Sequence, residues 1–290
     1  MKKSIISIVF ILLFTSLLLG CQNKELTFTL DNYPKVDGST VTIPLSEAIA
    51  SELTGLSLEE VRPHILHNKT HEAYVNLINK EADIIFVTSP SEEELALAEE
   101  KGVVLEVVPI VSEAFVFLTH TDNPINGLTL EEIRQIYAGD ITNWSEVGGS
   151  NVPIVAYQRP VNSGSQTGFL DLVMKDLIPM SPPTEKVVAG MGELIDAVAN
   201  YDNVPDALGY SYYYFVVDMW GNENVKLLEV NGVYPNQDTI RTGEYPVKTA
   251  YYAVIREDEP KDSSVRQMID WLLSEAGQNL AEEAGYVKIK

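Results

Sequence analysis

Short hydroxyl side chains cluster in this sequence where helices are predicted to begin. Asp37-Gly38-Ser39-Thr40 stands just before Pro44. Thr88-Ser89-Pro90-Ser91 follows an apolar run and precedes an acidic one. Arg159-Pro160-Val161-Asn162-Ser163-Gly164-Ser165-Gln166-Thr167-Gly168 lies between an apolar stretch and a helix expected at 169–175. Thr70 is a fourth such start, ahead of Tyr74 and Leu77. The first turn of a helix exposes unpaired N–H groups and carries partial positive charge. Glycine lets backbone approach an anion closely, and Ser or Thr add donors. Arg159 supplies one full counter-charge in a planar fork suited to an oxyanion. Any one of these starts could be a helix cap and nothing more. Four of them with one arginine suggest convergence on an anion.

Other constellations carry less chemistry. His67 and His71 are four residues apart, but Thr70 between them reads as a cap and no third ligand stands out, so no metal is expected. The run Tyr210-Ser211-Tyr212-Tyr213-Tyr214-Phe215 reads as core or hinge packing, with a sugar or peptide site as the alternative. Trp144 reads as structural, and Glu92-Glu93-Glu94 as a solvated first turn favoured by the helix dipole. The glycines of Gly164-Ser165-Gln166-Thr167-Gly168 are spaced as in a nucleophile elbow, yet Gln166 holds the central position. There is no Ser-x-x-Lys and no cysteine besides Cys21. No enzymatic activity and no cofactor are expected.

The elements that would position these residues alternate in the manner of α/β layers. Pro44 opens a helix that Gly55 closes. Ser91 with Glu94, and Thr129 with Glu132, have capping-box spacing, and Gly102 follows the acidic helix 91–101. Buried strands are predicted at 83–87, 103–110, 114–119, 152–157 and 250–255. The last forty residues read as two helices with Met268, Ile269, Leu272 and Leu273 on an apolar face. Turn clusters at His120-Thr121-Asp122-Asn123-Pro124 and Gly243-Glu244-Tyr245-Pro246 mark two crossovers. The chain would leave one domain there, build a second and return.

Composition bounds the partners. The chain has 290 residues, 42 Asp+Glu, 20 Lys+Arg and a formal charge of −22. At 45% hydrophobic it is no disordered acidic tail. Such acidity excludes nucleic acid, whose phosphates need surplus Lys and Arg, and disfavours adsorption to anionic lipid. Lys2 and Lys3 precede an apolar run, 5–19, ending in Leu18-Leu19-Gly20-Cys21. A run of about 15 apolar residues after a basic start makes a secretory signal, whereas a spanning helix needs about 20. The ending resembles the lipobox of bacterial lipoproteins, whose cysteine receives diacylglycerol. Cys21 would then anchor the chain, 1–20 would be signal, and 21–36 a tether.

Over nearly the whole remaining length the chain resembles the phosphate-binding lipoproteins that serve Pst-type ABC importers, within the extracellular solute-binding proteins. The resemblance runs through Asp37-Gly38-Ser39-Thr40, Ala82-Asp83-Ile84-Ile85, Thr88-Ser89-Pro90, Ile136-Tyr137-Ala138-Gly139-Asp140-Ile141-Thr142-Asn143-Trp144, Arg159 with Ser163-Gly164-Ser165, Leu208-Gly209-Tyr210, Gly243–Pro246 and Gly285-Tyr286-Val287. It implies a type II periplasmic-binding (Venus flytrap) fold, with two α/β lobes joined by two hinge strands and an anion buried between them. Lobe 1 would comprise 37–119 plus 249–290, and lobe 2 would comprise 120–248. Family contacts carry over to Ser39, Thr40, Thr70, Thr88, Arg159, Ser163, Gly164 and Ser165, and Ser89 and Gln166 are expected as further donors. Two departures matter. The family usually has an Asp at the position of Thr88 and an acid where Val161 and Asn162 stand. Those acids accept a hydrogen bond from protonated phosphate, which a donor-only site cannot do.

The implied function is capture of inorganic phosphate or a related oxyanion for an ABC permease. The protein would act as a monomer on the outer face of the cell membrane, anchored through Cys21. The alternatives are a surface sensor or binding module of the same fold for another, organic ligand, and a hydrolase, which would need a nucleophile–base pair in the cleft.

Overall fold

The computed structural model describes residues 26–182, 186–200 and 205–289. The expected signal and Cys21 lie outside the described residues. Part of the expected tether packs on the body: Phe28 is buried, its N–H donates to Leu53 O at 2.7 Å, and its ring meets Tyr33 edge-on.

In chain order the first elements are β1 (Val36–Gly38), α1 (Ile43–Thr54), α2 (Leu58–Val61), α3 (Lys69–Ile78), β2 (Ile84–Val87), α4 (Glu92–Glu100) and β3 (Leu105–His120). There follow β4 (Gly127–Leu128), α5 (Leu130–Ala138), β5 (Val155–Ala156), α6 (Gly164–Gly168), α7 (Met191–Ala199) and β6 (Ala207–Tyr212). The chain closes with β7 (Val225–Leu227), β8 (Glu229–Val230), α8 (Gln237–Thr242), β9 (Lys248–Arg256), α9 (Ser264–Leu272) and α10 (Glu275–Glu283). Wider π-helical turns continue α6 over Phe169–Met174 and follow β6 over Phe215–Trp220.

The helix signals act as the sequence implies. Pro44 lies in the first turn of α1, and Gly55 ends it at φ 70°. Ser91–Glu94 and Thr129–Glu132 each close a reciprocal capping box. Gly102 follows α4 at φ 66°. Met268, Ile269 and Leu272 of α9 are buried, but Leu273 is 40% exposed, because the helix ends there and turns its side chain outward.

The main sheet runs β1–β2–β9–β3–β6–β5, with β7 also on β3. Two separate strands were expected at 103–110 and 114–119. They form one, β3, because no turn residue interrupts it, and Ser112 and Glu113 are buried rather than exposed. This strand serves two partners in succession. It pairs antiparallel with β9 from Leu105↔Arg256 to Ala114↔Lys248, with a register shift between Pro109 and Val111. From Phe115↔Tyr212 onward it pairs with β6. The chain therefore has two halves about a shared long strand. The first half buries Leu45, Ile49 and Leu53 of α1. The second stacks Phe169 on Tyr210, centroids 4.5 Å apart, with Tyr137 and Phe115 packed around that pair.

Candidate functional site

A cavity of about 840 Å³ lies between the two halves. The first half contributes Ser39, Thr40, Thr70 and Thr88, and the second contributes Arg159, Ser163 and Gly164. These seven come from four separate stretches of sequence, so folding brings them together.

A buried carboxylate arranges the first wall. Asp37, at the centre of β1, accepts hydrogen bonds from Gly38 N at 2.7 Å, Asn68 N at 2.9 Å, Asn68 Nδ2 at 2.8 Å and Asn76 Nδ2 at 2.7 Å. It thereby ties the end of β1 to the start of α3 and sets Ser39 and Thr40 beside Thr70. Gly38 runs so close to β2 that a Cβ there would lie 2.8 Å from Phe86 O. Asn68, rather than Thr70, is the N-cap residue of α3, and Thr70 is the second helical residue. The Tyr74 hydroxyl donates to Thr88 O at 2.8 Å and holds the exit of β2.

The second wall is a braced loop. Arg159 N donates to Gln166 Oε1 at 3.1 Å and to the Tyr210 hydroxyl at 3.0 Å, and that hydroxyl donates to Gln166 Oε1. Ser163 caps α6 by accepting from Gln166 N, and the Tyr212 hydroxyl donates to Gly164 O at 2.9 Å. Gln166 thus holds the loop and does not line the cavity. Ser89 does not line it either, and Ser165 is fully buried beside it. The two walls touch. A Cβ on Gly164 would lie 2.5 Å from Thr70 Oγ1 and 2.6 Å from Thr88 Oγ1, and Asn162 Nδ2 donates to Glu93 Oε2.

Donors are left over. Arg159 Nε and Nη1, Thr88 Oγ1 and Ser165 Oγ are buried with no hydrogen-bond partner among the described residues. Burial lowers the pKa of the Arg159 guanidinium, while Tyr210 and Glu193 act to raise it. Such a cation gains from an anion brought against it, because buried donors are normally satisfied. Glu72 and Glu193 line the cavity but are exposed to solvent. An apolar side formed by Met191, Phe215, Met219 and Trp220 completes it.

No group of three or more His, Cys, Asp or Glu side chains that could hold a metal occurs among the described residues. His67 Nε2 lies 2.7 Å from Ser46 Oγ, and His71 Nδ1 lies 3.1 Å from Glu94 Oε1. The Tyr210 and Tyr212 rings and Trp144 are core, with Trp144 Nε1 donating to Asp206 O at 2.9 Å. Asp37, Tyr210 and Gln166 escaped the sequence reading as positioning residues, because their partners are distant or their types ordinary. The acidic residue inside the first hydroxyl cluster was the one available hint.

This architecture is matched among known proteins. Residues 34–276 match the model of the PBP superfamily domain. The phosphate-binding protein PstS of Borreliella burgdorferi is 27% identical over 304 residues, covering 100% of both chains. A crystal structure from Clostridium perfringens with bound phosphate superposes with TM-score 0.64 at 25% identity, covering 88% of this chain and 98% of that one. The structure of PstS from Borrelia burgdorferi gives TM-score 0.54 at 26% identity, with 88% and 98% covered. The chain belongs to the PBP superfamily, with the two-lobed type II periplasmic-binding fold. Members of this family are solute-binding proteins rather than enzymes.

Proposed function

We propose that this protein captures inorganic phosphate or a related tetrahedral oxyanion between its lobes and delivers it to an ABC importer. The observation that carries this reading is Arg159, which lines a cavity ringed by hydroxyls from both halves and whose Nε and Nη1 are buried and unpartnered among the described residues. Ser39, Thr40, Thr70, Thr88, Ser163 and Gly164 supply hydrogen bonds and Arg159 the charge. Ser165 adds a donor from beneath. Gln166 braces this set from behind, and Ser89 stands outside the cavity. No bond is broken; function is capture by closure. The lobes are assigned as 37–119 plus 249–290 and 120–248, with β3 crossing between them so that its end from Phe115 onward pairs with β6 of the second lobe. Cys21 anchors the monomeric chain by lipid to the outer face of the cell membrane.

A thermal-shift screen over phosphate, arsenate, sulfate and molybdate tests this reading, since a ligand bound only by the folded state raises its stability. At a hundred times Kd the gain is about 2.7 kcal/mol. No shift with any oxyanion would overturn the proposal. The apolar side at Met191, Phe215, Met219 and Trp220 favours a second reading, an organic anion sensed at the surface. Stabilisation by phenylphosphonate but not by phosphate would select it.

A further inference from the structure

Away from β3, the strand they share, the lobes are joined by a polar bond. Asn162 Nδ2 donates to Glu93 Oε2, a residue 69 positions earlier in the chain. Asn162 stands in the loop that carries Arg159, Ser163 and Gly164, and it lines the cavity with them. Ser163 N donates to Pro160 O at 3.2 Å and closes a turn over 160–163, with Asn162 at its third position. Its φ is 67°, the left-handed region that Asn or Gly fills most readily. Glycine would suit that backbone equally but has no amide to donate. Opposite it, Glu93 lies in the first turn of α4, whose start is fixed by the Ser91–Glu94 capping box. The helix dipole favours an ionised carboxylate there, and such a group only accepts.

Carboxylates also interact across the same boundary. Burial, and then the charge of Glu92, raise the pKa of Asp171 in the second lobe. Glu92 neighbours Glu93 on α4, so this pair repels and works against closure. The neutral Asn162 amide does the reverse, because it turns one acid of that row into an acceptor for the opposite lobe. We propose that Asn162 and Glu93 form a latch across the cleft, made as the lobes close and broken before the captured anion leaves. Asn162 is a positioning residue. It holds the loop bearing Arg159 against α4, and through the rate of opening it sets how long the anion stays. The inference rests on the oxyanion reading above and adds to it the step that limits release.

Donor and acceptor can be exchanged here without changing side-chain shape, and that exchange provides the test. Stopped-flow kinetics follow association and release of inorganic phosphate or, where sulfate is the tighter ligand, of sulfate, with melting curves alongside. Asn162→Gly keeps the turn and removes the amide. It should raise the release rate by about 3- to 10-fold, the worth of a partly exposed bond to a charged group, and should change association less. Asn162→Asp tolerates the same backbone but sets a carboxylate against Glu93, and should raise release further. Adding Glu93→Gln to Asn162→Asp restores the bond with donor and acceptor exchanged, and should bring release back toward the wild-type rate. Separate structural roles for the two residues would not produce that rescue. Release unchanged in Asn162→Gly, or no rescue in the double variant, would overturn the latch while leaving oxyanion capture standing. Binding of no oxyanion by wild type would overturn the underlying reading, and this one with it.

Discussion

Gly164 is where the two walls meet, and its missing side chain is what permits that meeting. A methyl group there would lie 2.5 and 2.6 Å from two buried threonine oxygens. Both threonines are rigid at χ1, so neither can swing away cheaply. Gly164→Ala should therefore weaken oxyanion affinity by tenfold or more while costing little thermal stability, because the lobes are pushed apart rather than unfolded. Titration calorimetry alongside a melting curve separates the two effects. Asp37 makes the opposite prediction. Its carboxylate satisfies donors from Gly38, Asn68 and Asn76, so Asp37→Ala strands several at once. Denaturant unfolding should show a loss of about 2–4 kcal/mol. At this scale the sequence was partly readable. Hydroxyls beside helix starts announce themselves locally, but Asp37 acts on partners 31 and 39 residues away, and only the fold shows that pairing.

Capping boxes and terminal glycines locate α1, α4 and α5 because each signal lies within one turn of what it specifies. The long strand β3 was harder to read. Ser112 and Glu113 fall in the gap between the strands expected at 103–110 and 114–119, and polar residues seldom sit in a strand buried on both faces. In the structure Glu113 accepts from Ala114 N at 2.8 Å and Tyr214 N at 3.4 Å, where β3 changes partners. Burial raises its carboxyl from the ordinary 4.5 to about 7. The folded chain thus holds this proton longer than the unfolded one, and between those values stability falls as pH rises. The change is about 3 kcal/mol over that window. Glu113→Gln should flatten this component of the pH profile of urea unfolding. A wild-type profile already flat from pH 4.5 to 7 would refute the assignment.

The molecule as a whole carries a charge of −22 and holds its candidate anion site between two lobes. At physiological salt the Debye length is about 8 Å, so distant surface carboxylates are largely screened. Binding then depends on donors near the ligand, and lower ionic strength should slow phosphate capture by exposing the negative surface. Stopped-flow association at two salt concentrations checks the sign. The division into lobes was suggested by two turn clusters, but the way β3 and β9 run together before β3 passes to β6 depends on strand register, which single-sequence patterns do not specify. Everything at this scale converges on one arginine. Titration of wild type and Arg159→Ala with inorganic phosphate is the most direct measurement. Saturable one-to-one binding by wild type, lost in the variant while its melting temperature holds, is the predicted result. Equal affinity in both proteins would contradict the account.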